Sequence, residues 1–196
     1  MNFDLNFWHL VIIQAAWLTF QGLSYLLIQK NARPAHDMER SFDKKIPLVP
    51  QSVFIYVLWF PLIALYPIGL YYCSPECWLA YMISVAIDVA VSLVIYRVYP
   101  TTFDRPKLKN ETFSEKCLSL MYKVDYKGLN CMPSMHCSVS FLIIFSALAC
   151  GAMAGWIQAG VCLLALGIVV STVLTKQHVI VDVLSALALA IICFLC

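Results

Sequence analysis

Charged residues are scarce in this chain. Asp, Glu, Lys and Arg make up only 12% of its 196 residues, whereas hydrophobic residues make up 62%. Because a soluble domain is usually about one quarter charged and about half apolar, this composition excludes an ordinary soluble globular domain. It predicts an integral membrane protein. The net charge of +2 does not indicate a nucleic-acid partner, and none is expected.

Other features are also missing. The sequence contains no internal repeat and no low-complexity tract. No basic leader precedes the first apolar run, which is long enough to span a bilayer, so a cleavable signal sequence is not expected. Most of the nine cysteines lie in apolar runs, where cysteine behaves as a small hydrophobe. Cys73 and Cys77 lie in a short loop instead. Free thiols are expected there, and a disulfide on an oxidising side of the membrane is the alternative.

Long apolar runs fill most of the chain. A helix needs about 20 apolar residues to cross a bilayer. The runs therefore predict an all-α fold, a six-transmembrane-helix bundle that forms a single domain over residues 1–196. Pro61 and Pro67 should kink the second span, which a membrane helix tolerates. The predicted spans cover approximately residues 7–28, 52–72, 77–97, the two halves of 137–175 divided at Gly151 and Gly155, and 179–196.

The polar segment 98–136 is too long for a structureless loop, so we expect local order in it. Thr112 and Glu115 have the spacing of a capping box. Apolar residues recur behind them at helical spacing, at Cys117, Leu118, Met121 and Val124. The pattern predicts a short amphipathic helix near the membrane surface, between spans three and four.

The basic residues lie on one side of this predicted topology. Six crossings place loops 1–2, 3–4 and 5–6 on the side opposite to the two termini, and all 13 Lys and Arg residues fall in those three loops. They include Arg33 in the first loop, Lys127 in the second and Lys176 in the third. The positive-inside rule places this face in the cytoplasm. Two alternative explanations stay open: some of these charges bind substrate, and the opposite loops are too short to carry charge.

The same face carries two histidines where spans begin, His136 and His178. Asp182 follows His178 by four residues, and such residues share one face of a helix. Its carboxylate can therefore hold one imidazole nitrogen and leave the other free to attack, as in covalent catalysis. Ser171 lies about two turns before His178 and can face the same pocket.

A second group of residues is suited to binding an anion. Pro133, Ser134 and His136 open the fourth span, and the free N–H groups of a first helical turn bind anions. Ser134 adds a hydroxyl, and Arg105 offers a planar fork for phosphate oxygens. Together with His178 and Asp182, these groups fit phosphoryl transfer, in which the protein mainly positions groups and neutralises charge.

These residues resemble the motifs of the type 2 phosphatidic acid phosphatase superfamily of membrane phosphatases and phosphotransferases. The family has three motifs, K-x6-R-P, P-S-G-H and S-R-x5-H-x3-D. The resemblance covers about half of the chain closely, and the third motif is the specific one. The matching positions are Arg105-Pro106, then Pro133-Ser134-Met135-His136, then Ser171-Thr172 with His178 and Asp182.

The resemblance implies a metal-independent enzyme without a cofactor that acts on a lipid phosphate, phosphatidic acid-like or isoprenoid-like. It implies that His178 attacks phosphorus and becomes a phosphohistidine, that Asp182 orients it, and that His136 protonates the leaving oxygen. It further implies that Arg105, Ser134 and Ser171 hold the phosphate. Two alternatives stay open, a lipid phosphotransferase that moves a phosphoryl headgroup to an alcohol and a non-enzymatic lipid transporter. Many family members work on the extracytoplasmic face, contrary to the charge bias, and oligomeric state is not predicted.

The sequence departs from the family pattern at two cations. Val98 stands at the position of the first motif's lysine, and Thr172 at that of the third motif's arginine. Lys176 is predicted to replace one of them, since a flexible ammonium beside His178 can reach the same oxygens. The substitution of Met135 for glycine is expected to matter little. The pattern Y-P-T-x3-R-P at residues 99–106, together with K-Q-H at residues 176–178, is most similar to the branch related to inositol-phosphorylceramide synthases and their bacterial relatives, which can transfer a headgroup.

Some polar residues receive simpler interpretations. His9 and His36 are expected to be ordinary interfacial residues. A zinc site formed by His136, His178 and Asp182 is a minor alternative. Asp88 lies in the middle of the third span, where an ionisable group is costly. It either pairs with a polar group such as Gln14 or stays protonated.

Overall fold

The computed structural model of the protein describes residues 4–30, 36–125 and 128–196. The fold over these ranges is mostly helical, and two very short strands, β1 (His36–Asp37) and β2 (Thr101–Thr102), pair in parallel. Short 3₁₀ turns cover Asp43–Lys45 and Pro50–Ser52. The helices are α1 (Phe7–Lys30), α2 (Val53–Tyr56), α3 (Trp59–Cys73), α4 (Pro75–Val98), α5 (Phe113–Val124), α6 (Met135–Ala149), α7 (Gly155–Leu174) and α8 (Ile180–Leu195).

Four helical stretches in the described ranges are long and apolar enough to cross a membrane: Phe7–Lys30, Pro50–Cys73, Pro75–Val98 and Gly155–Leu174. They correspond to the first, second, third and fifth predicted spans. The other two apolar helices are shorter, because α6 has 15 residues and α8 has 16. At about 1.5 Å per residue they are roughly 22–24 Å long, less than the hydrocarbon core of about 30 Å. Six membrane crossings therefore stay a prediction.

The second predicted span is interrupted near its start. Helix α2 ends at Tyr56 and α3 begins at Trp59. Pro61 explains the break, because a proline ring clashes with the carbonyl four residues earlier, here that of Val57. That carbonyl instead accepts a hydrogen bond from the Phe60 N–H at 3.2 Å. Pro67 lies inside α3, where its missing N–H is tolerated.

Helix α5 confirms the helix predicted in the polar segment 98–136. The Thr112 hydroxyl accepts a hydrogen bond from the Glu115 N–H at 3.2 Å, and the Glu115 carboxylate accepts one from the Thr112 N–H at 3.3 Å. This is the predicted capping box. Leu118, one of the predicted apolar residues, is fully buried.

Helix α6 lies at the centre of the bundle and packs against α3, α4, α7 and α8. Leu142 and Ile143 on α6 are fully buried. Small buried residues on three helices, Ala147, Ala165 and Ala190, let neighbouring backbones approach closely, as is common between apolar helices. The break predicted at Gly151 and Gly155 is confirmed, because Gly151 lies in the turn between α6 and α7 and Gly155 is the first residue of α7.

The loops meet at one end of the bundle. His36 pairs with Thr101 across β1 and β2, and Thr102 forms an antiparallel bridge with Leu129. No pattern in the sequence predicted these strands. All described Lys and Arg residues lie in the segments at this end, while Arg33 and Lys127 lie outside the described residues. All nine cysteines are free thiols, including Cys73 and Cys77.

Candidate active site

A cavity of about 460 Å³ opens among α1, α3, α5 and the loop before α6. This volume lies within the usual range of small-molecule sites. One part of its lining is apolar and comes from α1, α3 and α5: Leu18, Leu26, Phe60, Ile63, Met121 and Val124. The other part is polar: Gln21, Tyr25, Tyr56, Asp125, Asn130, His136, Gln177 and His178. The two predicted histidines therefore line one cavity.

His178 and Asp182 form a hydrogen-bonded pair. His178 Nδ1 lies 3.2 Å from Asp182 Oδ2, and the Asp182 side chain is completely buried. The expected reason for the contact, a shared helix face, is wrong. His178 precedes α8, and Asp182 is the third residue of that helix, where its carboxylate also accepts the Val179 N–H at 3.0 Å. A carboxylate that caps a helix start thus fixes the imidazole, and its other oxygen has no hydrogen-bond partner in the part of the chain that the structure describes.

The loop before α8 holds His178 from the other side. The backbone N–H groups of Gln177 and His178 both donate to the Thr172 carbonyl, at 2.9 Å and 3.1 Å. Thr172 is itself fully buried near the end of α7. With Nδ1 bound to Asp182, His178 Nε2 is the ring nitrogen left to face the cavity.

His136 is the second residue of α6 and lies opposite His178, with 5.9 Å between the ring centroids. Its Nε2 atom lies 2.9 Å from the Tyr56 hydroxyl. Trp59 packs on the imidazole at 4.2 Å between ring centroids. The ring is therefore held by one hydrogen bond and by the aromatic rings of Trp59 and Tyr56, the latter at 4.9 Å between ring centroids. Ser134 lies just before it and caps α6, because its hydroxyl accepts the Cys137 N–H at 3.3 Å.

Arg105 does not line this cavity. Its two terminal nitrogens donate to Asp125, at 2.5 Å to Oδ2 and 2.9 Å to the carbonyl oxygen. The guanidinium also lies 5.1 Å from the Tyr122 ring centroid. Burial lowers the pKa of Arg105, but the Asp125 carboxylate outweighs it, so the pKa is raised above its usual value. The cavity wall is thus Asp125, with Arg105 behind it.

The structure does not bring the remaining predicted phosphate ligands to the cavity. Ser171 lines a second pocket, between α2 and α7, and its hydroxyl donates to the Ile168 carbonyl at 2.6 Å. The expectation that it faces the histidines is wrong, because α7 turns that face toward α2. The Lys176 ammonium donates to the Asp43 carbonyl at 2.8 Å. Ser134 is fully buried in its capping role. Among the described residues, no Lys or Arg lines the cavity.

Several cavity residues were missed by sequence reasoning. Tyr56, Asp125, Asn130 and Gln177 all line the polar part. Only the position of Gln177 next to His178 in the sequence could have indicated that it lines the cavity. Tyr56 lies in an apolar run, where a tyrosine is typical of the aromatic residues at a membrane interface. Burial raises the pKa of the neighbouring Cys131 thiol well above its usual value, so this cysteine is not an activated nucleophile.

Asp88, Gln14 and His36 each contact a residue on another segment of the chain. Asp88 Oδ2 accepts the Ser138 hydroxyl at 2.7 Å, whereas the Gln14 amide donates to the Ile63 carbonyl at 2.8 Å. Asp88 therefore pairs with a polar group, as in one of the two expected alternatives, but its partner is Ser138 and not Gln14. His36 stacks on the Tyr99 ring with centroids 4.1 Å apart. In the described part of the chain, no three His, Cys, Asp or Glu side chains are grouped so that they could hold a metal ion.

Comparison of the chain with protein-family models, with curated proteins and with solved structures finds no match in any of the three. Chemical interpretation therefore rests on the geometry. A carboxylate-oriented imidazole and a second imidazole face one another at the polar end of a largely apolar cavity. Such an arrangement can supply a nucleophile together with an acid or base.

Proposed function

We propose that the protein is a membrane-embedded hydrolase of lipid phosphate esters that works through a phosphohistidine. The observation that carries the proposal is the His178–Asp182 pair, 3.2 Å apart, in a cavity that also contains His136. A polar end with catalytic groups and an apolar remainder match a lipid with a phosphate at its head. The resemblance of the motifs to the type 2 phosphatidic acid phosphatase superfamily supports the same assignment.

In the first step of this mechanism, the Nε2 lone pair of His178 attacks phosphorus. The bond from phosphorus to the ester oxygen breaks, and that oxygen leaves with the electron pair and takes a proton from His136. Asp182 stabilises the charge that develops on the His178 ring. In the second step, His136 accepts a proton from water as the water oxygen attacks phosphorus. The phosphorus–nitrogen bond breaks, and phosphate is released.

The bilayer location belongs to the same proposal. Six membrane crossings, with the shorter α6 and α8 among them, place the cavity at the end that carries the described basic residues. The apolar lining from α1 and α3 then receives the acyl or isoprenoid chain. The N–H group of His136, the second residue of α6, has no acceptor within a helix and is available to the phosphate, whereas that of Cys137 is bound by Ser134. The charge bias favours a cytoplasmic site, and the family resemblance favours the extracytoplasmic face.

Lipid phosphotransfer is the second candidate, and one observation favours it. No Lys or Arg among the described residues lines the cavity, and the Asp125 carboxylate does. A phosphate monoester carries nearly two negative charges, whereas a phosphodiester carries one. Such a lining therefore suits a phosphodiester, whose phosphoryl headgroup an alcohol acceptor would take from His178 or from the donor lipid.

The test uses the full-length protein purified in detergent, with phosphatidic acid and diacylglycerol pyrophosphate as substrates. Release of inorganic phosphate supports hydrolysis, and a new phospholipid formed only with added alcohol supports transfer. Acid-labile phosphate trapped on the protein should disappear in His178→Ala. The matched control is His9→Ala, since His9 is exposed near the start of α1. Full activity in His178→Ala would overturn the mechanism, and lipid binding without turnover would favour a transporter.

A further inference from the structure

Asn130 lines the cavity, and the proposed site uses neither polar atom of its side chain. Asn130 is 3% exposed, and within the described ranges neither Oδ1 nor Nδ2 has a hydrogen-bond partner. A buried amide without partners loses the hydrogen bonds that water would give it, which costs free energy. Few native side chains are left in this state, so each one calls for an explanation. The proposed mechanism gives Asn130 no role.

The position of this amide is fixed by the backbone around it. Asn130 has a left-handed conformation with φ of 64°, which asparagine tolerates better than most residues. Its N–H donates to the Thr101 carbonyl at 2.9 Å, and the Met132 N–H donates to the Thr101 hydroxyl at 2.8 Å. The bridge between Thr102 and Leu129 lies directly before it. The backbone of Asn130 is thus fixed at the cavity lining by contacts that leave the side-chain amide itself unbound.

The chemistry of an amide identifies its complement. Asn130 presents two N–H donors and a carbonyl acceptor. A phosphate dianion offers acceptors alone and would leave Oδ1 without a partner. A hydroxyl group donates and accepts, so it satisfies both ends. The nearby Asp125 carboxylate also disfavours a second anion, whereas it does not disfavour a neutral alcohol.

We propose that Asn130 binds a hydroxyl group of the polar part of the substrate and selects for a hydroxylated headgroup or acceptor. This inference rests on the proposed function, because it places the alcohol in the cavity that contains His178. The hydroxyl has two possible sources, the headgroup of a donor phosphodiester lipid or a free acceptor alcohol. Both use the same hydrogen bonds, and the experiment separates them.

The test variant is Asn130→Gly, since glycine keeps the left-handed backbone and removes the amide. Asn110→Gly is the matched control, because Asn110 also has a positive φ, of 61°, yet is exposed outside the cavity. Equal melting temperatures of the two variants verify folding. The probes are phosphatidylglycerol, which carries headgroup hydroxyls, phosphatidic acid, which carries none there, and free glycerol as acceptor with phosphatidic acid as donor.

For a donor-headgroup hydroxyl, Asn130→Gly should raise the KM for phosphatidylglycerol about tenfold more than the KM for phosphatidic acid, the factor that corresponds to 1.4 kcal/mol. For an acceptor hydroxyl, it should instead raise the KM for glycerol by the same factor. Equal effects on all probes, or none beyond those of Asn110→Gly, would overturn the inference.

Binding measured by tryptophan fluorescence, with Trp59 in the cavity lining, separates this inference from the proposed function. If no lipid turns over but Asn130→Gly selectively weakens phosphatidylglycerol binding, the function fails and the inference stands. If neither lipid binds to the wild-type protein, the inference fails as well.

Discussion

The ion pair between Arg105 and Asp125, a residue of the cavity wall, gives the most direct test of whether Arg105 binds an anionic substrate. Arg105 and Asp125 are 13% and 25% exposed at their side chains. Removal of one partner from a buried charged pair costs about 3–5 kcal/mol. For a chain of this size, about 1 kcal/mol corresponds to about 2–4 °C in melting temperature. Asp125→Asn should therefore lower the melting temperature by about 6–20 °C.

If Arg105 binds substrate, Asp125→Asn should also strengthen the binding of substrate, even though it lowers stability. Arg105 is the predicted phosphate ligand, but two hydrogen bonds to Asp125 hold it outside the cavity lining. Substrate phosphate must then compete with the carboxylate for the guanidinium. Asp125→Asn weakens the competitor, so the KM for an anionic lipid should fall while stability falls too.

Thermal unfolding of the detergent-purified protein and initial-rate kinetics measure the two effects separately. Lys44→Ala is the control, because Lys44 pairs with Glu39 at 3.5 Å and is 69% exposed. Such a surface pair contributes about 0–1 kcal/mol. A melting temperature for Asp125→Asn within the range of this control would refute the energetic argument. An unchanged KM with lowered stability would show that Arg105 supports the wall and does not bind phosphate.

Two further predictions follow from the same site. Asp182→Asn keeps the shape of the cap but removes a charge-assisted hydrogen bond to His178, worth about 1.5–3 kcal/mol, so kcat should fall about 10- to 150-fold with little loss of folding; unchanged kcat in a stopped assay would contradict the orienting role. Cysteine labelling of intact cells tests orientation. Cys131 is 2% exposed and unsuitable, whereas Cys117 is partly exposed at the site end and Cys196 is exposed at the other. The test compares a variant that retains only Cys117 with one that retains only Cys196. If the site faces the cytoplasm, a membrane-impermeant maleimide should label the Cys196 variant and not the Cys117 variant. The opposite result would place the site on the extracytoplasmic face.

Features that depend on neighbouring residues were predicted well. The capping box at Thr112 and Glu115 is a local signal, and so is the break near Pro61. Hydropathy located every apolar helix, but it did not show that α6 and α8 would be only 15 and 16 residues long. Their ends are set by a capping serine, by turns and by the loop before α8, which a hydropathy average cannot detect.

The site was predicted only in part, because much of it forms between distant segments. The contact of His178 with Asp182 was expected, though a helix cap explains it better than a shared face. Arg105 and Asp125 are 20 residues apart, and no sequence pattern linked them. The parallel pairing of β1 with β2 was also unforeseen, and it is this pairing region that orients Asn130. Charge placement in the cavity therefore required the tertiary structure.

Helix α1 forms one wall of the cavity yet contributes little to the core. Only 11% of the residues in its most apolar stretch are buried. Its contacts with the rest of the bundle include hydrogen bonds from polar side chains along one face of the helix. In a bilayer the tails are as apolar as the side chains, so hydrogen bonds fix a helix that packing does not. These bonds are Gln14 to the Ile63 carbonyl, Gln21 to the Met135 sulfur, and Tyr25 and Gln29 to the Asp125 carboxylate.

Under the proposed function, α1 is a cavity wall whose sequence can change without changing the catalytic residues. If α1 crosses the membrane as proposed, its outward residues face lipid, whereas its polar face sets the rotation and the distance to α3. The width of the chain-binding space can then diverge between related proteins by changes in one helix, while the histidine pair on α6 and before α8 stays untouched. Under the proposed function, selectivity for the lipid chain and the chemistry at its head would then lie in separate parts of one small bundle.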